Sequence, residues 1–158
     1  MNYEVSVKDI PFVKAMSIRF VTNKQNIATD IPAAFQELWE HLKRHKDKVQ
    51  GTGECFALYH GAFFDPERID VECAFSIDNL IPEENRVKGR VIEGGQMAST
   101  VHKGPYTELE PAYHALLKWM EEHNYAALPL MRELYLNDPY NVLPEEILTE
   151  VLWSIQKK

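Results

Sequence analysis

The chain is written twice. Between residues 31 and 42, apolar side chains stand at Ile31, Ala34, Phe35, Leu38, Trp39 and Leu42. That is the i, i+3, i+4, i+7, i+8, i+11 spacing of a helix packing one face on a core. Adding 78 to each number gives Leu109, Ala112, Tyr113, Leu116, Leu117 and Met120, again all apolar or aromatic. The same offset lays VECAFSI (71–77) on TEVLWSI (149–155), so Glu72 falls on Glu150 and Phe75 on Trp153. CFALYHG and MRELYLN align at an offset of 76, with Leu58 on Leu134 and Tyr59 on Tyr135. A β-rich run precedes each helix, FVKAMSIRFV in one half and QMASTVHKG in the other. YEVSVKD and RVKGRVIEG read as leading strands.

Each half is therefore β-α-β-β with an extra strand at its front, and the Pro-rich, acidic IPEEN of 81–85 is the joint. Copies this short share one core. The expected fold class is α+β: two pseudo-symmetric repeats, about 1–80 and 86–158, forming a curved antiparallel sheet covered by two helices. A single domain over 1–158 follows. Asp30 is the expected cap of the first helix, with Pro32 in its first turn. Thr107 and Glu110 fit a capping box for the second, with Pro111 early in the helix.

Composition narrows the function. At 158 residues, 45% of them hydrophobic, the chain can bury a sizeable core. A net charge of −7 and the lack of clustered Lys and Arg argue against direct nucleic-acid binding. No apolar run approaches the ~20 residues of a membrane span, and the N-terminus does not read as a secretory signal. Cys55 and Cys73 have neither disulfide-framework numbers nor metal spacing, so two free thiols in a reducing cytoplasm are expected.

The repeat acts as an internal control on PLMRELYLNDP. In a strand Leu130, Leu134 and Leu136 share one face, and Met131, Glu133 and Tyr135 share the other. Either that second face is wet and Glu133 is ordinary, or it lines a pocket and the carboxylate has a task. At the 76 offset Glu133 corresponds to Ala57 and Met131 to Cys55. The fold thus manages without an acid there. Apolar walls with a few placed polar groups are what ligand pockets use.

HKGPY (102–106), an amphipathic helix, RELYLNDP and a closing TEVLWSI together resemble the gyrase-inhibitor-like (GyrI-like) small-molecule-binding family. That family includes the effector-binding domains of AraC-type regulators and of MerR-type multidrug-sensing activators. The resemblance covers essentially the whole chain, and it implies a cleft between the repeats that takes hydrophobic, often cationic, compounds. It implies Glu133 as the polar anchor, with Tyr135 from the same motif and Tyr106 from HKGPY. No helix-turn-helix pattern or basic stripe is present, so the chain resembles a stand-alone ligand-binding member.

Other residues divide between site and scaffold. A tyrosine hydroxyl, from Tyr135 or Tyr59, is the expected neutral partner of a buried Glu133, and Met131 lies on the same strand face as Glu133. Trp119 either walls the cleft or broadens the core. Trp39 and Trp153 fall at repeat-matched apolar positions and are expected in the core. Glu72 and Glu150 match each other, which points to a shared structural or surface role, and Glu150 stays a secondary pocket candidate. His102 is either structural or cleft-facing. His41 and His45 have a spacing that can bind zinc, but without a third ligand in the sequence they read as a solvated face. No metal and no cofactor is expected.

The leading function is non-enzymatic binding of hydrophobic small molecules. A second is a hydrolase opening strained cyclopropane rings of alkylating compounds, as some stand-alone relatives are implied to do, through Glu133, Tyr135 and Tyr106. A third is protein inhibition of DNA gyrase.

Overall fold

Strand pairing follows the duplication closely. The computed structural model describes residues 2–61 and 65–158. The first half contributes β1 (Ser6–Ile10), β2 (Val13–Thr22), α1 (Ile27–Arg44), β3 (Gly51–His60) and β4 (Ile69–Ile77). The second contributes β5 (Lys88–Ile92), β6 (Gly95–Lys103), α2 (Glu110–Glu122), β7 (Tyr125–Tyr135) and β8 (Leu148–Lys157). All eight strands join one antiparallel sheet in the order β1-β6-β8-β7-β3-β4-β2-β5. Exchanging the halves reverses that order onto itself. A pseudo-two-fold axis therefore runs between the central strands β3 and β7.

The leading strands do not stay with their own halves. β1 pairs with β6 of the second repeat, and β5 pairs with β2 of the first. Each front strand closes the outer edge of the other unit, so the halves are interlocked by backbone hydrogen bonds as well as by the β3–β7 seam.

Both helices lie on one sheet face. Met16, Ile18, Val71, Cys73, Met131, Val151 and Trp153 point there and pack with Ala34 and Leu38 of α1 and Ala112, Leu116 and Met120 of α2. The second face carries its own cluster of Ala15, Phe56, Leu58, Ala74 and Ile92, buried with no helix residue in it. Val13, Leu130 and Leu134 pack against this cluster, and the Arg132 guanidinium lies 4.9 Å from the Phe56 ring centroid. No helix among the described residues is long and apolar enough to cross a membrane.

Three local expectations are corrected. α1 starts at Ile27, five residues before Pro32; Asn26 is its N-cap, and Asp30 instead accepts a hydrogen bond from Thr22 Oγ1 at 2.6 Å. Pro32 lies inside the helix, where it removes one i to i−4 bond. At the second helix a 3-10 turn at Tyr106–Glu108 precedes Leu109 as N-cap, and no side-chain capping box forms. Trp39 is 49% exposed and lies outside the core, with the Lys43 ammonium 5.9 Å from its ring. The buried stripe of α1 instead runs through Ala34, Leu38 and His41. Trp153 is in the core, its indole N–H donating to Leu128 O at 3.0 Å.

Candidate functional site

The symmetry axis passes through a mismatch. Antiparallel register sets Ala57 of β3 directly opposite Glu133 of β7. Opposed residues share a face with Cβ atoms about 4.5–5.5 Å apart, so the two repeat-equivalent positions meet each other. Two glutamates there would put like charges in contact within the core. The duplication has to break its symmetry at this point, and it does so as small residue against acid.

Glu133 is 3% exposed and faces the helices. Tyr59 of β3 and Tyr135 of β7 donate hydrogen bonds to its Oε1 at 3.3 and 3.2 Å. Tyr113 of α2 donates to Oε2. Burial raises the carboxyl above its ordinary pKa, against the pull of the three phenols, which lower it. The same burial, with the neighbouring acid, pushes Tyr59, Tyr113 and Tyr135 up, so the phenols keep their protons and act as donors.

Aromatic rings close over this group from both repeats. Phe35 of α1 stacks on Phe75 with centroids 5.7 Å apart and meets Tyr135 edge-on at 5.9 Å. Tyr106 meets Tyr135 edge-on at 5.5 Å from the other side. At 39% exposure, Tyr106 marks the mouth of the cluster, and burial moves its phenol up to about 12. Met131 is buried on the same face, in register with Tyr59 and Trp153.

The remaining sequence candidates lie elsewhere. Trp119 stacks on His123 and Tyr125 at the opposite end of β7, with centroids 4.3 and 5.4 Å away. His102 is buried on the helix face at the end of β6, where Tyr3 bonds its Nδ1 at 2.8 Å and its Nε2 has no hydrogen-bond partner among the described residues. Glu150 is on the other sheet face. There Lys8 and Ser99 bind its Oε2 at 2.6 and 2.5 Å. Glu72, its repeat mate, is held by Ser17 at 2.6 Å, by both Arg90 nitrogens at 2.7 and 2.5 Å, and by His60 at 3.0 Å. Those contacts keep the Glu72 carboxyl well below its usual range despite burial.

Tyr113, Phe35 and Phe75 join the cluster without having been singled out as site residues. The signal for Tyr113 was present in the repeat. It aligns with Phe35 at the offset of 78, so the second copy adds a hydroxyl where the first has none. That is the same kind of departure as Ala57 against Glu133.

A duplicated β-α-β-β sheet with an aromatic cluster on its symmetry axis defines the class: a two-repeat α+β fold. The sequence matches the GyrI-like small molecule binding domain over residues 3–156, and the chain belongs to that family. The C-terminal domain of EcmrR is similar at 25% identity, with all of both chains covered and a TM-score of 0.86. In the EcmrR–DNA complex the identity is 27% and the TM-score 0.85, and this chain spans 58% of that longer chain. A hydrolase encoded by lin2189 from Listeria innocua shares the fold at 15% identity, with 97% of this chain and 92% of that one covered and a TM-score of 0.73. So does SAV2435, solved bound to tetraphenylphosphonium, at 13% identity, 99% and 94% coverage and a TM-score of 0.67. No curated protein sequence matches the chain.

Proposed function

We propose that this domain binds hydrophobic cations in the aromatic cluster over β3 and β7, with Glu133 as anchor and both repeats contributing to one ligand-binding unit. One observation carries this reading: a 3% exposed carboxyl is held by tyrosine hydroxyls and forms no ion pair among the described residues. A buried acid without a counter-charge favours its protonated form. A ligand cation supplies the missing charge, and the rings of Phe35, Tyr106, Tyr113 and Tyr135 supply apolar and cation–π contact worth roughly 0.5–2 kcal/mol per pair. Binding then releases the Glu133 proton. The free thiols Cys55 and Cys73 fit a cytoplasmic sensor or sequestering module.

Tetraphenylphosphonium, the ligand of the SAV2435 structure, is a suitable probe. Titration followed by fluorescence should show saturable binding that weakens about a hundredfold in Glu133→Gln, as loss of one member of a buried charge pair implies. Unchanged affinity in that variant overturns the anchor.

A second reading has its own support. A carboxyl with a raised pKa beside a buried tyrosine hydroxyl has the makings of a general base and acid. In a hydrolase of strained cyclopropane-bearing compounds Glu133, ionised, would take a proton from water as its oxygen bonds to a ring carbon; the ring C–C bond breaks, and the departing carbon takes its electron pair and a proton from the Tyr135 or Tyr106 hydroxyl. Incubation with such a compound distinguishes the two: tight binding with no hydrated product removes the hydrolase.

A further inference from the structure

We infer a divalent metal site, of the zinc type, where the C-terminal turn of α1 meets the joint between the repeats. His41 and His45 are one helical turn apart, and their ring centroids lie 4.6 Å apart. The sequence left this pair on a solvated face for want of a third ligand. The fold overturns both parts of that expectation. His41 is fully buried, and the chain beyond β4 returns to bring Glu84 of the joint beside the two imidazoles. One ligand-capable atom from each of His41, His45 and Glu84 lies within 4.8 Å of the others. Tetrahedral zinc with bonds of ~2.1 Å spaces its ligand atoms about 3.4 Å apart. His45 and Glu84 are already in contact at 3.0 Å, and the Glu84 side chain, 44% exposed, is free on its solvent side to adjust to that spacing.

A backbone carbonyl already orients the buried imidazole. Pro82 O lies 3.0 Å from His41 Nε2. A carbonyl only accepts, so in the neutral ring Nε2 carries the proton and Nδ1 keeps its lone pair for a metal. Metal-binding histidines are commonly fixed by such a bond to a backbone carbonyl. A cation also sits in the site: Arg44 Nη2 is 3.5 Å from His41 Nδ1 and 3.8 Å from Glu84 Oε2. With its side chain 51% exposed, Arg44 can swing into solvent and yield that place. Three protein ligands leave a fourth position for water. A bound ion would pin the 81–85 joint to α1.

The test is calorimetric titration of the full chain with zinc chloride, alongside Glu84→Gln, His45→Ala and Arg44→Ala. The last variant separates a metal site from a structural ion pair, because it removes a competing charge without removing a ligand. We expect one zinc per chain, affinity reduced at least about tenfold by Glu84→Gln or His45→Ala, and affinity raised by Arg44→Ala. Circular dichroism of the exposed-side variants checks that they fold. Absence of saturable binding at millimolar zinc overturns the site. So does a zinc affinity that the Glu84→Gln and His45→Ala variants leave unchanged, or that Arg44→Ala lowers.

Discussion

On the sheet face without helices, Glu72 and Glu150 are each tied to a serine of the adjacent strand and to a cation from an exchanged front strand. Ser17 and Arg90 hold Glu72; Ser99 and Lys8 hold Glu150. On the helix face, Glu133 sits at the symmetry axis with phenols around it and no such cation among the described residues. The duplicated acids are fastened into the scaffold by cations, and the unduplicated one is held by neutral hydroxyls. Burial raises the pKa of an acid unless counter-charges and hydrogen bonds outweigh it. The balance tips opposite ways on the two faces, downward for Glu72 and upward for Glu133. Two buried carboxyls of one sheet thus differ in protonation preference by what their neighbours supply: cations and hydroxyls around Glu72, hydroxyls around Glu133.

The most severe way to break this contrast is to restore the symmetry. Ala57→Glu places a second acid opposite Glu133 in a position with no exposure. It should destabilise the fold by about 3–5 kcal/mol at neutral pH, the scale of an unpaired buried charge, as measured by urea denaturation. Part of the loss should return in acid, when both carboxyls are protonated.

Next in size is the hundredfold loss of cation affinity in Glu133→Gln, about 2.7 kcal/mol. The same variant has a pH signature. Because the folded carboxyl holds its proton more tightly than the unfolded one, its contribution to stability is full below the unfolded pKa and is lost as pH rises through the folded value. Glu133→Gln should therefore flatten the decline in stability of the ligand-free domain on the neutral side.

Glu72→Gln should show the reverse. A depressed carboxyl stabilises the fold above its unfolded pKa, and that contribution is lost as pH falls towards the folded value. We expect a loss of about 1–3 kcal/mol at pH 7 that shrinks in acid, below the buried-pair range because the Arg90 side chain is 40% exposed. If both variants changed stability with the same pH slope, the distinction between the faces would collapse.

The smaller effects sharpen the comparison. Tyr113→Phe removes one donor to Glu133 and should weaken cation binding about three- to tenfold, leaving neutral aromatic ligands nearly unaffected. Lys8→Met should cost less than about 1 kcal/mol in thermal or urea unfolding, since the Lys8 side chain is 46% exposed and solvent screens the pair.

Much of this was legible in one dimension. Helical stripes at an offset of 78 gave the two helices, and the period of two in MRELY put Met131, Glu133 and Tyr135 on one face. Comparing copies exposed Glu133 because any position the scaffold needs should recur. The same comparison holds the Phe35–Tyr113 pair, whose added hydroxyl passes for one more apolar position within the stripe. Trp39 misled for a related reason: periodicity assigns a face but not where its edge lies, and the edge of α1 turns towards His41.

The sequence by itself determined the duplication, the β-α-β-β units and the oddity of an acid at position 133. These rest on local periodicity and on self-similarity, which one chain carries in full. Only the tertiary structure decided that β1 and β5 exchange partners, that Ala57 and Glu133 meet on the axis, and that Glu84 reaches His41 and His45. Each of those joins residues distant in sequence, and strand register and chain return set them through pairing energies that no local pattern records.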